Sequence, residues 1–273
     1  MIFSDMTRKQ AFLTHLAVSA CIFVVISYLI VFRWFPEFYF FLDGGIRAIT
    51  TIFFVDVVLG PGLTLLVFKP GKKSLKFDMA VILLLQISAL SWGINSVYME
   101  RSGTTVFYWG KFACIGHSET GEINMDAIAA GPSGSQRLSF LQRPDSIDEF
   151  LSFSKEPYDH QSAEIYYYGD RIVPLDESVV KRLQNYRLDL SKLAAENDAA
   201  AKYVQVYLER HADDVEHISL IPLSCRYGSA LAVYDTRALK ITHLLEVETK
   251  LRGKAQDEPL PLKLQLEGIG VGG

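Results

Sequence analysis

A catalytic or metal site needs ionisable or nucleophilic side chains at spacings that let them converge. His117, His160, His211, His217 and His243 are scattered, and no His-Glu-x-x-His occurs, so they read as surface or packing residues. Asp213-Asp214 with Glu216 is a local acidic run that reads as a solvated helix end. Gly131-Pro132-Ser133-Gly134 lacks the Gly-Lys-Ser/Thr of a phosphate loop and reads as a flexible loop. A Gly-x-Ser-x-Gly nucleophile elbow is absent. Cys114 and Cys225 are not in a Cys-x-x-Cys motif, which argues against redox catalysis. They read equally as a disulfide or as two separate buried thiols. A bridge would close a loop of roughly 110 residues and add about 4–5 kcal/mol on the chain-entropy view. No catalytic, cofactor-binding or metal-ligating residue is expected.

Three features remain. Asp56 stands alone in an apolar run, where an unpaired charge would cost several kcal/mol in a bilayer. It must face other helices or carry a proton, and His15, Thr50, Thr51, Gln86 and Ser88 are candidate partners. Three roles stay open: a polar staple between helices, a docking point for another protein's membrane helix, or a proton relay. Gly60-Pro61-Gly62 follows one turn later. Proline removes a backbone donor and kinks a helix, and small residues admit a neighbouring backbone, so the tripeptide is either a simple kink or a groove for a partner helix. Finally, Lys69, Lys72, Lys73 and Lys76 fall within eight residues.

The elements that carry these residues emerge once the composition is divided. The 273 residues are 49% hydrophobic and 21% charged, with a net charge of −4 and a mean hydropathy of +0.18. That excludes a disordered chain, and three Cys exclude a disulfide-rich miniprotein. The acidic balance gives no sign of nucleic-acid binding. Residues 1–98 hold eight Lys/Arg against five Asp/Glu, whereas residues 99–273 hold 19 against 26. Ala11–Phe32, Ala48–Phe68 and Met79–Tyr98 are each about 20 residues or longer, and Asp56 is their one charge, so three transmembrane helices are expected. Arg8, Lys9 and the four-lysine loop place the N-terminus and that loop in the cytoplasm, and three crossings put residues 99–273 on the other side, a bacterial periplasm. Trp34, Phe35, Phe38, Tyr39, Phe40 and Phe41 suit an aromatic belt at the outer interface. Val18-Ser19-Ala20-Cys21 spells a lipoprotein cleavage box. However, the apolar run continues from Ile22 to Phe32, so the first span reads as uncleaved.

The string from Val55-Asp56 through Gly60-Pro61-Gly62 to Lys69-Pro70-Gly71-Lys72-Lys73-Ser74-Leu75-Lys76-Phe77-Asp78 resembles the second span and cytoplasmic loop of the type IV pilin accessory proteins, the TfpX/TfpZ family. Arg8-Lys9-Gln10-Ala11-Phe12, His15-Leu16, Trp34-Phe35-Pro36 and Asp43-Gly44-Gly45 extend the likeness over residues 8–98, and Ile221-Pro222-Leu223 continues it weakly. The resemblance implies a non-enzymatic inner-membrane protein that supports assembly or surface display of its cognate type IV pilin. Asp56, Gly60, Pro61 and Gly62 are then candidates for docking the pilin's apolar helix, with residues 99–273 receiving its head.

That second region reads as one α+β domain. A strand is expected over Thr104–Ile115, a short helix from Ser146 through Phe153, and a strand over Ala163–Tyr168. Helices are expected over Val179–Leu193 and Asp198–His211. A hairpin pairs His217–Arg226 with Ala230–Asp235, and Arg237–Glu246 continues as strand or helix. Gly253–Gly273 reads as an extended, partly mobile tail. The expected function is binding and chaperoning a pilin within a membrane of lipid, with no nucleic-acid partner. The rival is a membrane-anchored sensor or structural subunit of another envelope complex.

Overall fold

The computed structural model describes residues 6–108, 110–121, 123–142, 166–175, 179, 183, 193–195 and 197–247. The chain divides into two compact units, Met1–Ser102 and Gly103–Gly273.

The first unit is built on three helices long and apolar enough to cross a membrane: Arg8–Trp34, Gly45–Val67 and Leu75–Met99, of 27, 23 and 25 residues. The first opens with a capping box, in which Thr7 and Gln10 satisfy each other's backbone donors. Its inner face is a stripe at three- to four-residue spacing: Ala11, His15, Ser19, Phe23, Ile26 and Ile30. The second presents Ala48, Ile52, Asp56, Gly60, Thr64 and Phe68 to the interior, always four residues apart. In a regular α-helix of 3.6 residues per turn, each four-residue step overshoots by about 40°. Phe53–Leu59 is a π-helical segment, and its i→i+5 turns hold the stripe in phase. Pro61, which has no N–H to donate, follows directly where the widened turns end.

Most large apolar side chains of these helices point outward, among them Leu66 (72% exposed) and Trp92 (75%). The connection between the first two helices carries the aromatic residues expected at the outer interface. It folds back through a short helix, Phe38–Leu42, and this compaction buries Phe35, Phe38 and Tyr39; Trp34 and Phe40 are half-buried and only Phe41 is exposed. Asp43 is buried there, accepting a 2.8 Å hydrogen bond from Ser102 Oγ.

The second unit holds a mixed seven-stranded sheet among the described residues: β1 (Ser102–Tyr108), β2 (Lys111–Gly116), β3 (Leu138–Leu141), β4 (Ile172–Pro174), β5 (Ile218–Ser224), β6 (Ser229–Asp235) and β7 (Lys240–Leu245). Their order is β4-β3-β1-β2-β5-β6-β7. β1 pairs with β3, and β2 with β5, in parallel; β3–β4, β5–β6 and β6–β7 are antiparallel. Side chains alternate across a strand, so the sheet has two distinct faces. One carries two aliphatic clusters. Val106, Ile115, Leu141 and Ile172 gather with Ile128 of the short helix Met125–Ala129, and Leu220, Leu231, Val233 and Leu245 gather with Ala200, Ala201 and Val204 of the helix Asp198–Arg210. The other face carries a row of rings, Phe140, Phe107, Phe112 and Tyr234, with successive centroids 5.4–6.1 Å apart. Leu183 lies on that side, its carbonyl accepting from Ser219, the cross-strand neighbour of Tyr234.

Two expectations are corrected. Thr104–Ile115 is not one strand: Gly110, at φ 77°, reverses the chain between β1 and β2, a conformation that glycine adopts without a Cβ clash. Tyr166–Arg171 is a 3-10 turn rather than strand, because ladder pairing with β3 begins only at Ile172. The Asp198–Arg210 helix and the β5–β6 hairpin stand where expected, and Lys240–Leu245 resolves the strand-or-helix alternative as strand. The helix from Ser146, the tail Gly253–Gly273 and most of Val179–Leu193 lie outside the described residues, although Val179, Leu183 and Leu193 are helical and buried.

Candidate functional site

Asp56 is 1% exposed. Its carboxylate meets the two other helices at once. Gln86 Nε2 donates to Oδ1 at 2.6 Å and lies 3.3 Å from the Asp56 carbonyl oxygen. Ser19 Oγ donates to the same Oδ1 at 3.4 Å and receives Gln86 Nε2 at 3.2 Å. One residue from each helix therefore closes a polar cluster inside the bundle, and Asp56 Oδ2 and Gln86 Oε1 have no partner among the described residues. Two turns toward the Lys69 end of the second helix, His15 Nδ1 and Thr64 Oγ1 are 2.6 Å apart, a second link between the first two helices.

Of the five side chains expected to partner Asp56, the structure brings Gln86 to it. His15 is engaged by Thr64, Thr50 bonds its own helix at the Ile46 carbonyl, and Thr51 and Ser88 are exposed. Sequence reasoning missed Ser19, although its place four residues after His15 and eight after Ala11 puts it on the same inner stripe. Cys21, beside it, is exposed on the helix surface.

The Gly-Pro-Gly tripeptide serves two surroundings. A Cβ on Gly60 would collide with the Gln86 amide, so this glycine makes room for the Asp56–Gln86 contact. Pro61 is buried beside it. Gly62 is half-buried, and a Cβ there would meet nothing within 4 Å. Asp56, Gly60 and Pro61 are thus occupied by the protein's own helices, and Gly62 alone of the four opens outward.

At one end of the bundle, Arg8 satisfies the last carbonyls of the second helix, with Nε 3.1 Å from Phe68 O and Nη2 2.9 Å from Leu66 O. Ala11, Phe68 and Leu75 are buried together beneath it. Lys69, Lys72, Lys73 and Lys76 are all exposed at this end. Lys72 pairs with Asp78 at 2.6 Å.

In the sheet domain, Cys114 of β2 and Cys225, just after β5, form a disulfide with a Cα separation of 4.7 Å. His211 and His243 lie with Tyr207, ring centroids 4.3–6.3 Å apart, where the end of the Asp198–Arg210 helix meets β7. The Asp213–Glu216 run forms a 3-10 turn in which Asp214 pairs with Arg237.

No protein-family model matches the chain, and no solved structure does. Curated relatives do match. The chain is 32% identical over 130 residues to the fimbrial assembly protein of serogroup I of Dichelobacter nodosus, covering 44% of this chain and 49% of the relative. It is 30% identical over 130 residues to the fimbrial assembly protein of serogroups C1 and C2 of the same organism, covering 44% of this chain and 97% of that protein. The serogroup E1 protein matches at 30% over 49% of its length. The chain thus spans about half the length of two of these relatives and nearly all of the third. With 30% identity over nearly the whole length of one of these relatives, the chain belongs to the fimbrial assembly protein family.

Proposed function

We propose that this protein is a non-catalytic inner-membrane accessory factor of the type IV pilin accessory (TfpX/TfpZ) kind, which binds its cognate type IV pilin and supports pilus assembly or surface display. The observation that carries the reading is the 30% identity to a fimbrial assembly protein over 97% of that protein's length. The three apolar helices supply the anchor, and their outward Leu, Val and Trp side chains suit acyl chains. Arg8, Lys9 and the four lysines at one end support a cytoplasmic side for that end. The sheet domain then lies in the periplasm, where the Cys114–Cys225 bridge is chemically at home. A pilin awaiting assembly would be met twice, its apolar helix by the bundle around Gly62 and its head by the sheet domain.

The test is deletion of the gene with measurement of surface pili and of total pilin, joined to in vivo crosslinking from the tagged chain. Fewer surface pili at unchanged pilin synthesis, with pilin as the captured partner, is the expected result. Unchanged piliation would overturn the reading.

A further inference from the structure

We propose that the lysine-bearing end of the bundle binds the anionic phosphate headgroups of membrane lipid through Lys69, Lys73 and Lys76. This deepens the membrane reading above and rests on it. The charges at this end are not equivalent. Arg8 is spent on the carbonyls of Leu66 and Phe68. Lys72 is neutralised by Asp78, which Ser74 Oγ also approaches at 3.3 Å. Lys69, Lys73 and Lys76 are exposed and have no ion-pair partner among the described residues. The Arg8 bonds and the buried Ala11–Phe68–Leu75 cluster fix the start of the first helix beside this loop, so Lys9 adds its charge to the same end.

What selects lipid over an acidic protein is the neighbouring surface. Leu66 and Phe77 are 72% and 71% exposed and lie within three residues of Lys69 and Lys76. Apolar side chains at one level and ammonium groups at the next match a phospholipid, whose acyl chains would lie along Leu66 and Phe77 while its phosphate meets the lysines. An acidic protein would use the charges and leave the outward Leu and Phe without a role.

The experiment incubates the full-length chain, purified in a non-ionic detergent, with an equimolar mixture of dioleoyl-phosphatidylglycerol and dioleoyl-phosphatidylcholine, and reads the retained lipids by native mass spectrometry. The wild type is expected to retain phosphatidylglycerol preferentially. The preference should fall roughly fivefold for each lysine removed at low salt, and so by roughly a hundredfold in the Lys69→Gln/Lys73→Gln/Lys76→Gln variant. Lys72→Gln should change it less, and Lys69→Arg/Lys73→Arg/Lys76→Arg should keep it. An unchanged ratio in the triple Gln variant overturns the proposal. So does full displacement of the lipid by millimolar inorganic phosphate, which would make the site one for free phosphate. A triple Gln variant that keeps its lipid but loses a crosslink to a cytoplasmic protein overturns it in favour of a protein partner. Release of the wild type from native membranes by carbonate would instead defeat the membrane reading itself.

Discussion

The two units solve the problem of burial in opposite ways. In the helical bundle the inward stripes carry Ser19, Asp56 and Thr64, while Val24, Leu66 and Trp92 face out. In the sheet domain the inward positions are mostly Leu, Val, Ile and aromatic rings, with Thr104, Thr105, Ser139 and Ser219 buried between them, and charged pairs such as Lys202–Asp198 lie at the surface. A bilayer gives apolar side chains no reason to leave it, so helices there associate through small residues and polar contacts. Water does give that reason, and the sheet is built on it.

The contrast can be broken most forcefully at the disulfide. Replacing both Cys114 and Cys225 by Ala should cost the sheet domain about 4–5 kcal/mol of chain-entropy stabilisation, lowering its urea midpoint while leaving the bundle's unfolding in detergent unchanged. The bridge also backs a weak seam, because β2 and β5 share only two registered pairs, Phe112–Leu223 and Ala113–Ser224. A midpoint equal to that of the wild type would mean that the seam holds without the bond. Next, Leu231→Ala, in the aliphatic core, should cost about 2–5 kcal/mol, whereas Leu66→Ala, which faces outward from the bundle, should stay within about 0.5 kcal/mol. Similar losses at both sites, read by thermal melts of the intact chain in detergent, would erase the difference between the two interiors.

Within the bundle, Gly60→Leu drives a side chain into Gln86 and should cost about 1–3 kcal/mol. Gly62→Leu has open space and should leave the melt unmoved while weakening any pilin crosslink that uses this face. The smallest effect at neutral pH belongs to Tyr234→Phe, because the buried Tyr234 hydroxyl has no hydrogen-bond partner among the described residues. Burial, and secondarily the neighbouring Asp235, raise its phenol above the ordinary value near 10. The folded state therefore keeps a proton that the unfolded state releases, and stability present below pH 10 declines as pH rises beyond it. Tyr234→Phe should flatten that alkaline decline in a pH series of urea midpoints.

The three helices were legible because lengths and the scarcity of charge are local properties. Gln86 stood among the expected partners of Asp56 because polar residues in an apolar run are few. Ser19 is marked in the sequence only by its spacing to His15, because a serine in an apolar helix can bond its own backbone and need not face a partner. The β1–β2 division was hidden by alternation that continues across Gly110. The parallel pairings of β1 with β3 and β2 with β5 join distant segments through backbone hydrogen bonds, which leave no mark on local sequence. The widened turns at Phe53–Leu59 were equally silent, since a proline nearby signals a kink without specifying its form.

The way Asp56 is shared also sets an order of assembly. The chain emerges from its N-terminus, so the first two helices can meet before the third exists. Arg8 with the Leu66 and Phe68 carbonyls, and His15 with Thr64, are complete in that hairpin. Asp56 then has only Ser19, through a long 3.4 Å contact, until Gln86 arrives with the shortest bond of the cluster. The third helix thus works as a latch: without it the Asp56 carboxylate keeps only the longest bond of the cluster.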